Sequence, residues 1–163
     1  MSGTRGRQDP EHALRESEDR YAKLIEEAPD PIVTLDLVGR VQLVNPAVEQ
    51  AVGYAARELI GQHFATLGIV SPASLPRAIE EFAFAIAGMR RQPFEIEAVH
   101  KKGVHLVFEA NPCPFEREGS IAGVHVIFRD VTRRKRAEER LHQLEREVNE
   151  LLARLEEPPK YAS

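Results

Sequence analysis

The feature that most constrains this chain is a seam in its last quarter. In residues 133–155 the apolar positions Ala137, Leu141, Leu144, Val148, Leu151 and Leu155 follow one another at steps of 4, 3, 4, 3 and 4. That is the heptad repeat of a coiled coil. Charged residues fill most of the gaps, so the helix carries one narrow apolar stripe and no broad face for a core. Asp130 can cap its start, and Pro158-Pro159 stop its end. The stripe fits a parallel homodimer in which each helix covers the other. The alternative is a helix folded back on its own domain.

The rest of the chain must supply that domain. A length of 163 residues allows one real core plus helical extensions. A net charge of -4 provides no general field for nucleic acid or an anionic membrane. The short basic run RRKR (133–136) is followed at once by Glu138 and Glu139, and Arg134–Glu138 and Lys135–Glu139 sit four apart. Surface ion pairing explains that run better than nucleic-acid binding. Cys113 is the one cysteine, which excludes an intrachain disulfide. The start, MSGTRGRQDPEH, lacks the apolar run of a signal peptide, and FAFAIAGM (82–89) is too short to span a bilayer. The expectation is a cytoplasmic protein with no membrane partner.

Local pattern divides the chain. Residues 1–9 read as a disordered tail. A helix over 10–28 starts at Asp9-Pro10, with Leu14, Tyr21, Leu24, Ile25 and Ala28 at helical spacing, and Pro29 and Pro31 stop it. PIVTLD (31–36) and RVQLVN (40–45) form a hairpin turned by Gly39. Short helical pieces follow to Gly61, broken at Gly53, and a longer helix spans 75–90, where Phe82, Phe84 and Ile86 point to burial on more than one side. Three strands are expected at 93–101, 104–111 and 121–130, the second ended by Pro112 and Pro114. The core thus occupies 29–131, the coiled-coil helix 132–157 and a short tail 158–163. Strands at both ends with helices between define an α+β fold with an antiparallel sheet.

The segment GRVQLVNPAVEQAVGYAARELIGQHF resembles the first half of a PAS domain. It carries the family's turn glycine (Gly39), Asn45-Pro46, Gly53-Tyr54 and Glu58-Leu59-Ile60-Gly61. The second half is similar too: Lys102-Gly103, Pro114, Gly123-Val124, and Asp130-Val131-Thr132 leading into the charged helix. The resemblance covers about residues 12 to 150. It implies a five-stranded antiparallel sheet in spatial order 2-1-5-4-3, with helices on one face enclosing a small pocket. It also implies sensing and signal transfer, with a histidine kinase or related effector as partner in cis or in trans, and no catalysis in this domain.

Candidate pocket residues follow from strand parity and from that resemblance. Alternation turns Phe94, Ile96 and Ala98 inward, and Leu106, Phe108 and Ala110 with them. Phe84 joins from the long helix. The resemblance places His125 and Ile127 inward on the last strand, leaving Val124, Val126 and Phe128 outward. An inward His125 can hydrogen-bond a ligand or titrate near neutral pH; the alternative is a buried neutral histidine with a structural partner. Photoactive flavin members have an Asn-Cys pair after the short helices, absent here, and Phe108 and Ala98 stand where flavin-holding Asn residues would be. Haem members use a histidine on the long helix, and residues 75–90 contain none; His63 lies just before it. His100, His105, His125 and Cys113 do not converge on a metal by spacing or parity. The cofactor expectation is therefore none, or a small apolar ligand. No nucleophile–base set, carboxylate pair or phosphate loop points to an enzyme. Two functions remain: a dimeric sensory module that relays a signal through Asp130 and Thr132 into the seam helix, or a constitutive dimerisation scaffold with a filled core.

Overall fold

A computed structural model describes residues 9–158. The tails expected at 1–9 and 158–163 lie almost wholly outside the described residues. Helix α1 (Pro10–Glu27) opens as its sequence dictates: the Asp9 carboxylate accepts the Glu11 N–H at 3.4 Å, with proline in the first turn. Strands β1 (Ile32–Leu35) and β2 (Val41–Val44) form the hairpin. Its turn is held by Asp36, whose Oδ1 accepts the N–H groups of Val38 (3.0 Å) and Arg40 (2.9 Å), and Gly39 takes the φ of +89° that the turn needs. Helices α2 (Pro46–Val52) and α3 (Ala56–Leu59) follow, then a 3-10 turn over Phe64–Thr66 and helix α4 (Leu75–Ile86). Strands β3 (Phe94–Val99), β4 (His105–Arg117) and β5 (Ser120–Asp130) complete the sheet, and α5 (Thr132–Glu156) leaves it.

The five strands run in the order 2-1-5-4-3, all neighbours antiparallel, as the resemblance implies. One face is roofed by the helices, and the core lies between them. Leu35, Val41, Leu59, Ile96, Phe108 and Val124 are among its buried members.

β4 is longer than expected. It runs straight through Pro112 and Pro114, which pair with Val126 and Val124 of β5. The N–H and C=O of Val107 both point towards the α5 side of the strand, so odd residues bond towards β5 and even ones away from it. The two prolines are even. Beyond Ala110, β4 has no β3 residue opposite, so their missing N–H groups fall on an unpaired edge. The other edges are covered by chain in part. Segment 69–74 lies along β3, with Val99 N–H bonded to Ile69 O (2.7 Å) and Ser71 N–H to Glu97 O (2.8 Å). Residues 61–62 lie along β2 through Val41 N–H to Gln62 O (2.9 Å) and Gly61 N–H to Val41 O (2.7 Å).

The β4–β5 hairpin corrects the expected parity of β5. Its turn is two residues long, Glu118 and Gly119, both with positive φ (51° and 79°), the pairing a tight primed turn requires. Extrapolated from that turn, Ala110 would face Ile127. A register shift between Phe115 and Glu116 moves every later pair by one residue, so Ala110 faces Phe128 and Pro112 faces Val126. Val124, Val126 and Phe128 consequently point into the core, and His125 and Ile127 point to the outer face of the sheet.

Neither long helix packs on the sheet. Every residue of α1 is exposed except the half-buried Ile25. Beyond Thr132, every described residue of α5 is exposed apart from the partly covered Lys135. The fold-back alternative for the seam helix is thus absent from the single chain. Among the described residues no helix is long and apolar enough to cross a membrane.

Candidate ligand cavity and signal exit

Under the helical roof lies a cavity of about 130 Å³. Of the candidate residues, Ile96, Ala98 and Phe108 line it, and His125, Ile127 and Phe84 do not. Phe84 lies instead under the Arg91 guanidinium, 4.3 Å from its ring centre. Val126 and Phe128 take the positions expected of His125 and Ile127. All lining residues but one are apolar; the exception is Glu81 of α4.

Glu81 escapes a reading by composition, yet helical spacing carries the signal. Ala78, Glu81, Phe82 and Ala85 are three and four apart and form the stripe of α4 that faces the sheet. Glu81 is only 1% exposed, with Oε1 2.7 Å from Arg77 and 3.5 Å from Arg91. Neither of its oxygens receives a well-formed hydrogen bond among the described residues, and Oε2 has no ion-pair partner there either.

On the outer face, the Thr34 hydroxyl and His125 Nδ1 share a hydrogen bond of 2.9 Å, and Phe115 stacks on the imidazole at 4.3 Å. Gly123 lets the Phe115 ring approach; a Cβ there would come within 2.8 Å of it. Burial holds the His125 imidazole below its ordinary pKa of 6.5, favouring the neutral ring. His125 is therefore a structurally bonded histidine of the outer face. His63 accepts the Ala65 N–H on Nδ1 (3.1 Å) and starts the 3-10 turn, while His100 Nδ1 accepts the Lys102 N–H (3.0 Å). His105 pairs with Glu97 across the β3–β4 ladder. No group of three or more His, Cys, Asp or Glu among the described residues gathers to hold a metal ion.

At the exit, a set of bonds ties the start of α5 to the sheet, including Thr132 Oγ1 donating to Val107 O (3.4 Å) and Arg136 donating to His105 O (3.3 Å). Val107 N–H donates to Thr132 Oγ1 (3.0 Å), Val131 N–H donates to Val107 O (2.9 Å), and Thr132 N–H donates to Asp130 Oδ1 (2.9 Å). Thr132 and Val131 are buried. The basic run then turns back on the sheet. Lys135 Nζ lies 2.8 Å from Glu95, and Arg134 lies 3.7 Å from Glu95, 3.9 Å from Glu109 and 3.7 Å from Glu138. The expected Arg134–Glu138 pair is present, but Lys135 meets Glu95 and Glu138 rather than Glu139. Bonding to Glu95 raises the Lys135 pKa.

The entry is tied as well, by Asn45 of the Asn45-Pro46 pair. Asn45 is 2% exposed, and its side chain makes no cap bond to α2. Its Oδ1 accepts the Ile32 N–H (2.8 Å), and its Nδ2 donates to Ile25 O (3.1 Å) and Asp30 O (3.0 Å). It joins the end of α1 to the first strand.

An antiparallel sheet in the order 2-1-5-4-3, roofed on one face around an apolar cavity and feeding a helix directly from its last strand, defines a class of small α+β domains. A sequence model of the PAS fold matches residues 25–136, and the chain belongs to the PAS family. The signal transduction histidine-protein kinase AtoS of Escherichia coli K12 is 32% identical over 149 residues. That match takes in 86% of this chain and 23% of the kinase, so the chain spans about a quarter of that relative. The PAS domain of a Colwellia psychrerythraea protein superposes with a TM-score of 0.65 at 26% identity, over 72% of this chain and 98% of that one. A domain of a sensory box histidine kinase/response regulator from Geobacter sulfurreducens shares the fold, with a TM-score of 0.60 at 24% identity over 72% of this chain and 96% of its own.

Proposed function

We propose that this chain is a sensory PAS module that works as a parallel dimer. It relays a change in its cavity, or at its helical interface, through α5 to a histidine kinase or related effector. The observation that carries this reading is the state of the seam. Leu141, Leu144, Val148, Leu151 and Leu155 line one side of α5, and each is at least 42% exposed. A helix of 25 residues is about 37 Å long, and only its first turn is fastened to the sheet. The rest gains stability from a second copy of the same stripe. The route of the signal is short. Phe128 and Val126 line the cavity, Asp130 and Thr132 follow on the same chain, and a shift of β5 moves the start of α5 directly. The kinship with a histidine kinase supports an effector of that class. The open cavity favours a sensor over a filled scaffold.

The test is the subunit count. Sedimentation equilibrium on the full chain should give a dimer, and native mass spectrometry should report the same count with any retained small molecule. Leu144→Glu should yield a monomer with an unchanged sheet by NMR. A wild-type monomer at tens of micromolar, or a Leu144→Glu variant that stays dimeric, would sink the proposal.

A further inference from the structure

The single charged residue of the cavity has a chemistry that an apolar pocket does not need. Glu81 Oε1 is in contact with Arg77 and Arg91, both half-exposed and each resting on a ring, Arg77 over Phe94 at 5.8 Å and Arg91 over Phe84 at 4.3 Å. Those two guanidinium groups already offset the carboxylate's charge. Both oxygens are buried without a hydrogen bond among the described residues, and Oε2 has no cation beside it either, a condition that folded proteins seldom leave uncorrected.

We propose that the cavity binds a small aromatic or alicyclic ring bearing one neutral hydrogen-bond donor, such as a hydroxyl or ring N–H, which bonds Glu81 Oε2. This rests on the sensor reading above and names the ligand class for it. The volume sets the size: a cavity of about 150 Å³ accepts one benzene ring, and this one is about 130 Å³. The apolar lining recognises the ring by burial, and Glu81 selects for the donor. The charge balance selects against an ammonium group, because Arg77 and Arg91 repel a third cation at the same carboxylate. A ligand seated there touches α4, through Glu81, and β5, through Val126 and Phe128, so it bridges the roof and the strand that leads into α5.

The experiment uses phenol and toluene, rings of similar size with and without the donor. Calorimetric titration of the full chain gives both dissociation constants, and amide NMR shifts place the site. The wild type should bind phenol at least as tightly as toluene, although the hydroxyl is better hydrated in water. Glu81→Met keeps the length and leaves the arginines in solvent. It should shift the phenol-to-toluene ratio against phenol by about tenfold or more, the scale of a hydrogen bond to a charged acceptor. An unchanged ratio in a folded Glu81→Met protein would show that the carboxylate is only an ion-pair partner, and the inference fails. Should that variant not fold, the wild-type ratio decides, and a clear preference for toluene overturns the inference. Binding of neither ring overturns it too. The subunit count is read separately, so a dimer that binds neither ring removes the ligand class and leaves the relay by α5 standing.

Discussion

Replacing Thr132 by valine tests how the exit helix is fastened. The swap nearly preserves shape, so it opens little cavity and removes only the hydroxyl, which accepts the Val107 N–H and donates to Val107 O at 3.4 Å. Thr132 Oγ1 is the acceptor for Val107 N–H at 3.0 Å, and the residue is 6% exposed. In Thr132→Val that buried donor loses its partner, which costs about 1–3 kcal/mol. The ties made by backbone donors survive, Val131 N–H to Val107 O and residue 132 N–H to Asp130 Oδ1, and the long hydroxyl bond to Val107 O that is also lost leaves a carbonyl still bonded by Val131 N–H. The loss should therefore be about 2 kcal/mol rather than a collapse. Thr132→Ser keeps the oxygen and removes one methyl, worth about 0.8 kcal/mol. Urea unfolding followed by far-UV circular dichroism, at one protein concentration for all variants, measures both. Native-state hydrogen exchange should show the Val107 amide losing protection in the valine variant and keeping it in the serine variant. If serine costs as much as valine, the methyl group fastens the helix and the hydroxyl reasoning is wrong.

Two further outcomes follow from the ties around the sheet. Asn45→Ala leaves Ile32 N–H without its acceptor and frees the carbonyls of Ile25 and Asp30, and should destabilise the fold by about 2–3 kcal/mol; exchange should quicken at Ile32, and a loss below about half a kcal/mol would contradict the latch. The depressed pKa of His125 means that the unfolded chain binds a proton more readily than the folded one as pH falls below 6.5. Its contribution is complete above 6.5 and is lost on acidification, so His125→Gln should show a smaller drop in melting temperature between pH 7.5 and 5.5 than the wild type, and an equal or larger drop would refute the assignment.

The elements that the sequence made legible were those under a single strong local rule. The Gly39 hairpin, the break at Gly53 and the alternation of β3 each follow from one such rule, and each lies where expected. β5 was harder because both of its faces carry apolar residues. IAGVHVIF offers Ile121 and Ile127 on one side and Val124, Val126 and Phe128 on the other, so alternation cannot choose between them. The choice was made one strand away, by a shifted register between Phe115 and Glu116. Glu81 was hidden by an opposite bias, since a glutamate is seldom buried, although its spacing from Ala78 and Ala85 placed it on the inner stripe of α4. The clamp of Arg134 and Lys135 on Glu95 and Glu109 depends on where α5 leaves the sheet, which is a tertiary fact with no local mark.

The treatment of the sheet's borders has a consequence for how copies of this domain can meet. An open strand edge invites another strand to add to it, and from there to grow without limit. Here β3 is bordered by residues 69–74, β2 by residues 61–62, and the overhang of β4 presents prolines where donors would stand. A second molecule finds little backbone to zip onto. Association is left to side-chain surfaces, where it is finite, reversible and fixed in orientation by the residues that touch. The dimer proposed above, in one defined geometry and responsive to a small molecule, would need that kind of contact.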